Sequence, residues 1–146
     1  MKIKDVMTKS VETVRPDQTL QEAASRMKSL DVGPMPVLEN DKLVGMLTDR
    51  DIVIRAAADG KDVRTTKVRE AMTSDVATCS EDDDVKTAAQ TMKDRQIRRL
   101  VVVDGQKRVS GIVSLGDIAV DTSDEKMSGR VLEEVSKPTR STPPRA

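Results

Sequence analysis

Two short segments hold the polar groups of this chain at matching places: Gly45-Met46-Leu47-Thr48-Asp49-Arg50-Asp51 and Gly111-Ile112-Val113-Ser114-Leu115-Gly116-Asp117. Each sets a hydroxyl three residues before a carboxylate, after an apolar run that reads as a strand and before one that reads as a helix (Ile52-Val53-Ile54, Ile118-Ala119-Val120). A helix start exposes unpaired N–H groups and the positive end of the helix dipole, so such a junction can hold an anion. The hydroxyl and the carboxylate add polar contacts at the same mouth, and a carboxylate can accept hydrogen bonds from both hydroxyls of a ribose. Together they could hold a nucleotide. The same spacing also resembles the capping box that starts ordinary helices, although Glu or Gln is its usual third-position partner. Both readings stand on the residues alone.

The elements that would position these groups come from an internal repeat. Val6-Met7-Thr8 matches Ala71-Met72-Thr73 at an offset of 65, and Val11, Thr13, Asp17, Ala23, Ala24, Met27 and Lys28 match Val76, Thr78, Asp82, Ala88, Ala89, Met92 and Lys93. One extra residue in the second copy moves the offset to 66, after which Gly45, Thr48, Asp51 and Ile52 match Gly111, Ser114, Asp117 and Ile118. A duplicated unit of about 60 residues follows.

In the first copy, Val11 to Val14 suggests a brief strand ending before Pro16. Thr19 to Glu22 forms a capping box, and Leu20, Ala23, Ala24 and Met27 recur at helical spacing. In the second copy Asp84 caps, and Val85, Ala88, Ala89 and Met92 form the stripe. Strands are expected at 35–38 and 43–47, then at 100–103 and 109–113, joined by turn residues such as Asp104-Gly105. A second helix follows each pair, in the first copy reaching Ala58 and stopping near Gly60. The fold class is therefore α/β (α+β), two β-α-β-β-α units. One such unit buries little apolar area alone, so the two are expected to pack together with pseudo-two-fold symmetry. The expected organisation is a first repeat at 1–59, a polar linker at 60–69, a second repeat at 70–122, a C-terminal helix at 123–136 and a disordered tail at 137–146. Met127, Val131, Leu132 and Val135 would line the docked face of that helix.

Composition narrows the chemistry. The 146 residues include no Phe, Trp or Tyr, so the interior must be built from aliphatic residues and eight Met, and a bound base would lie between aliphatic side chains. With 25 basic and 25 acidic residues there is no broad positive footprint for nucleic acid, and there are no aromatic rings to stack single strands. The absence of His and the single Cys79 rule out Cys/His zinc sites, an internal disulfide and His-activated nucleophiles. Cys79 sits in an apolar stretch and reads as a small core residue. No nucleophile, metal cluster or carboxylate pair has catalytic spacing, so an enzyme is not expected. The first residues lack an apolar signal region and no run approaches membrane-spanning length, which points to a cytoplasmic protein.

The order of elements, the Val-Met-Thr start and the Gly-x-x-[Thr/Ser]-x-x-Asp ending resemble the cystathionine beta-synthase (CBS) domain, here as a tandem pair (a Bateman module) over about residues 1–122. The stretch from Gly45 to Ile54 is similar to that of small stand-alone bacterial and archaeal CBS proteins of the hypoxic-response type. Arg98 to Asp104 with Gly111 to Asp117 looks like a nucleotide-binding repeat of the AMP-activated protein kinase gamma subunit, which has His-Arg where this chain has Arg98-Arg99. The resemblance implies adenosine nucleotides (AMP, ADP or ATP) held in clefts between the repeats as regulatory ligands, with no required cofactor. It also implies a homodimer and a target protein acted on in trans.

Carried over by position, Asp117 would hold the ribose, Ser114 the phosphate or ribose, Thr78 the base, and Arg98 with Arg99 the phosphates. A solvated strand entry is the other reading of the two arginines. The first site would use Thr13, Thr48 and Asp51, but Gly33-Pro34 replaces the arginine pair. Positive charge would then have to come from Arg50, Lys42 or the other repeat, making this the weaker site. Met27, Met35, Met46 and Met92 offer either core packing or a cleft for S-adenosyl ligands. The remaining alternative is a ligand-free interaction module whose motifs only cap helices.

Overall fold

In the computed structural model, which describes residues 1–122 and 125–137, six β-strands and five α-helices follow one another among the described residues. They are β1 (Thr8–Lys9), α1 (Leu20–Leu30), β2 (Pro34–Glu39), β3 (Lys42–Thr48), α2 (Asp49–Ile52), β4 (Thr78–Ser80), α3 (Val85–Arg95), β5 (Arg99–Val103), β6 (Val109–Ser114), α4 (Leu115–Thr122) and α5 (Glu125–Ser136). The chain divides into two compact units, Val11–Val76 on one side, and Met1–Ser10 with the chain from Ala77 onward on the other. The units are thus offset from the sequence repeats, because the first ten residues pack with the second repeat.

In the unit of residues 11–76, alternation along the β2–β3 hairpin sends Met35, Val37 and Leu47 into the core, where they meet Leu20, Ala23 and Met27 of α1. α1 starts where the sequence indicates: Thr19 Oγ1 accepts the Glu22 N–H at 3.2 Å. Its two first N–H groups, of Leu20 and Gln21, donate to the carbonyls of Thr66 and Val63 at 2.9 and 3.0 Å. The stretch expected as a polar linker is therefore built into this unit; Val68 is fully buried and Thr66 nearly so. The strand expected at 11–14 is reduced to one parallel bridge, Val14 to Val37. α2 widens into a π-helical turn at Val53–Ala57, which buries Ala56 and leaves Val53 and Ile54 exposed.

In the other unit the sheet order is β1-β6-β5-β4, with β4 parallel to β5 and the remaining pairs antiparallel. Its core joins Val85, Ala88 and Met92 of α3 to Leu100, Val102 and Val113 of the sheet, and to Ile3 and Val6 from the chain start. α5 packs on this core through buried Val131, with Met127 and Val135 against it. Leu132 departs from the expected stripe, being 49% exposed. Residues 123–124 of the expected helix and 138–146 of the expected tail lie outside the described residues.

The motif glycines have a packing reason. A Cβ on Gly111 would sit 2.6 Å from the Thr8 carbonyl oxygen, and one on Gly45 would sit 2.6 Å from Met72 Sδ and 2.9 Å from the Thr73 carbonyl oxygen. In each unit a Met-Thr segment is laid against the strand at a distance only Gly allows.

Candidate functional site

Both motifs fold into the same junction. The Ser114 N–H donates to Asp117 Oδ2 at 2.9 Å and the Asp117 N–H donates to Ser114 Oγ at 3.1 Å. At the end of β3, the Thr48 N–H donates to Asp51 Oδ2 at 3.0 Å and the Asp51 N–H donates to Thr48 Oγ1 at 3.1 Å. This reciprocity is a capping box with Asp in the place of Glu or Gln, so helix capping is a role both motifs have. Each box leaves a hydroxyl hydrogen and a second carboxylate oxygen over.

The two junctions use that remainder differently. Asp51 Oδ1 faces Arg55 Nε at 3.9 Å, and Arg55 Nη1 donates to the Met72 carbonyl at 3.0 Å. Asp117 Oδ1 has no partner among the described residues.

Strand register decides what stands near Ser114. Arg99 lies directly across from it in the β5–β6 ladder; Val101 lies across from Ile112 and, on β4, beside Thr78. Since side chains alternate along strands, Thr78, Arg99, Val101, Ile112 and Ser114 share one face of the sheet. Cys79, Leu100, Val102 and Val113 take the other face, into the core. Residues distant in sequence thus meet on one face of the sheet, where Val101 and Ile112 are buried, with Asp117 beside them in the first turn of α4. Thr78 and Arg99 are exposed, and Ser114 and Asp117 are half-buried.

The same alternation parts the two arginines. Arg98 precedes β5; its carbonyl accepts the Leu115 N–H at 2.8 Å, and its Nη2 stands 3.5 Å from Ser136 Oγ on α5. There it borders a pocket of about 470 Å³ with Leu115 and Ala119 of α4 and Ser128 and Leu132 of α5. Arg99 alone stands opposite the Ser114 hydroxyl.

In the first repeat Pro34 takes the place opposite Thr48 that Arg99 takes opposite Ser114. Thr13 sits one residue before the Val14 bridge, and its carbonyl accepts from the Arg26 guanidinium, which also bonds Glu12. Arg50 is exposed on α2, where its N–H donates to Asp49 Oδ1 at 2.9 Å. Lys42 cannot supply charge here: it begins β3 and Thr48 ends it, a separation of roughly 20 Å at strand rise. Sequence reading also missed Arg55 and Arg26. The Asp51–Arg55 spacing is a helical i, i+4 pair and was available as a signal; nothing local links Arg26 to Thr13.

Met27, Met35 and Met92 lie in the cores, whereas Met46 is buried outside the core cluster, on the face shared with Thr48. Burial, helped by the negative charge of Asp83, pushes the Cys79 thiol up to about 12, so it carries no thiolate at neutral pH. Among the described residues no group of His, Cys, Asp or Glu is arranged to hold a metal ion, and no helix is long and apolar enough to cross a membrane.

The CBS domain model matches this chain twice, at residues 3–57 and 68–120. The chain belongs to the CBS domain family. It is 46% identical over 134 residues to the CBS domain-containing protein YhcV of Bacillus subtilis, covering 92% of this chain and 94% of the relative. It is 35% identical over 117 residues to Hypoxic response protein 1 of Mycobacterium tuberculosis, covering 80% and 81% of the two. Among solved structures, the CBS domain pair of MJ0100, in complex with 5′-methylthioadenosine and S-adenosyl-L-methionine, aligns with a TM-score of 0.74 at 31% identity. That alignment covers 86% of this chain and 98% of the solved domain-pair chain. The strand-to-helix junctions of the two matched segments are the Thr48–Asp51 and Ser114–Asp117 boxes.

Proposed function

We propose that this CBS pair is a regulatory module that binds an adenosine nucleotide, AMP, ADP or ATP, and acts in trans on a separate protein. The observation that carries this reading is the open remainder of the Ser114–Asp117 box, set across the ladder from Arg99. Asp117 Oδ1 accepts the ribose hydroxyls, the Ser114 hydroxyl donates to a phosphate or ribose oxygen, and the Arg99 fork binds phosphate. Thr78, exposed on the same face, meets the base. Arg98 lies toward α5 and serves the phosphates only after turning from Ser136. The junction of Thr13, Thr48, Arg50 and Asp51 is the weaker site, because Pro34 replaces the arginine and Arg55 faces the carboxylate.

An S-adenosyl ligand is the second reading. It is favoured by the ligands of MJ0100 and by Met46 on the Thr48 face. Calorimetry with AMP, ADP, ATP and S-adenosylmethionine separates the two: tighter binding of the phosphorylated compounds supports the nucleotide reading, and saturation by S-adenosylmethionine alone replaces it. The module is non-catalytic in this reading, so ATP incubated with pure protein stays intact; steady hydrolysis abolished by Asp117→Ala would refute that. It works as a homodimer, for which exposed Val53 and Ile54 in one unit, and Val120 in the other, supply apolar surface. Light scattering at twice the 16.0 kDa chain mass is the expected result, and a monomer at micromolar concentration contradicts it.

A further inference from the structure

We propose that the groove between α3 and α5 is a second, independent binding site for a small polyanion carrying at least two linked phosphate groups. α3 presents Lys86 and Lys93 along one edge, and α5 presents Lys126 and Arg130 along the other. The four cations border a pocket of about 350 Å³ whose floor is Ala89, Met127 and Val131. None of the four side chains has a hydrogen bond or ion pair with a described residue. Elsewhere in this unit Lys2 and Lys4 stand by Asp82, and Lys137 stands by Glu134. Of the carboxylates near the groove, Asp94 accepts from the amide of Gln90, itself a lining residue, at 2.7 Å, and Glu125 lines the separate pocket beside Arg98.

Four like charges around one concavity with an apolar floor repel one another, and their potential concentrates counter-ions there. Lys126 also lies in the first turn of α5, where the helix dipole is already positive. A monoanion offsets one charge, whereas a linear phosphate chain reaches both edges at once. Lysine serves phosphate as a point charge and Arg130 as a fork. Because the two edges belong to different helices, a ligand here ties α5 to α3. The site shares no residue with the Ser114–Asp117 face, so it stands or falls separately from the adenosine reading.

The test uses the full chain and inorganic tripolyphosphate. Calorimetry is expected to show binding at least tenfold tighter than that of orthophosphate, weakening steeply as salt rises. Lys93→Gln with Arg130→Gln is expected to lower the affinity for tripolyphosphate tenfold or more, and Lys86→Gln with Lys126→Gln to do the same. These exposed or half-exposed side chains can be changed with the thermal midpoint kept, and Asp117→Ala is expected to bind tripolyphosphate like the wild type. Equal affinity for tripolyphosphate and orthophosphate, or undiminished binding by both double variants, would overturn the proposal. So would binding of polyglutamate with tripolyphosphate silent, which points to an acidic protein partner.

Discussion

In the proposed reading Asp117 carries two duties through its two oxygens: Oδ2 closes the cap of α4, and Oδ1 would take the ligand. Ser114→Ala removes the cap acceptor and is expected to lower stability by about 1 kcal/mol, as is Thr48→Ala at the other junction, measured by chemical denaturation. The two differ in binding: Ser114→Ala weakens nucleotide affinity, and Thr48→Ala leaves most of it. Arg99→Ala is expected to weaken ATP about tenfold while sparing adenosine, since only the phosphates meet its fork. Equal loss for both would place Arg99 away from the phosphates. Cys79, with its thiol held near 12, should resist iodoacetamide at pH 8 in the native protein and react once unfolded. Rapid native labelling would show that its burial is not maintained.

At the level of elements, the helices α1 and α3 were legible because Leu20, Ala23 and Met27, and Val85, Ala88 and Met92, recur at helical spacing behind Thr19 and Asp84 caps. The hairpin strands were legible from their apolar runs and turn residues. The division of Arg98 from Arg99 was not, because which side of a strand a residue takes is fixed only when the register to β6 is known. The packing of the 60–69 segment was hidden for a different reason: its charged side chains are exposed while the carbonyls of Val63 and Thr66 receive the first N–H groups of α1, a backbone role that composition does not reveal. The close approach at the motif glycines was likewise hidden, since it depends on Met-Thr segments far along the chain. Gly111→Ala is expected to cost about 1–3 kcal/mol by forcing Thr8 off the strand. Gly105→Ala, with nothing within 4 Å, should change stability little. Gly129→Ala also meets nothing within 4 Å and should stabilise α5 by about 0.5–1 kcal/mol. Thermal melts of the three distinguish steric crowding from a general intolerance of glycine replacement.

Over the whole molecule, duplication was legible as an offset of matching residues, but the segment that completes each sheet was not. Ile3 and Val6 of the first repeat are buried with the second repeat's core, and Thr8 and Lys9 pair with β6. Removing residues 1–10 should therefore destabilise the unit from Ala77 onward, by about 1.5–3 kcal/mol for each buried apolar side chain lost. Hydrogen exchange would show β6 losing protection ahead of the β2–β3 hairpin; equal effects on both would contradict the division into units. The central claim, that the Ser114–Asp117 junction receives an adenosine nucleotide, is tested most directly by calorimetric titration of wild type, Asp51→Ala and Asp117→Ala with AMP and ATP. The account predicts saturable binding by wild type, most of it kept in Asp51→Ala, and a loss of tenfold or more in Asp117→Ala with the fold intact. No heat from wild type at millimolar nucleotide, or an Asp117→Ala protein that binds as tightly as wild type, would contradict it.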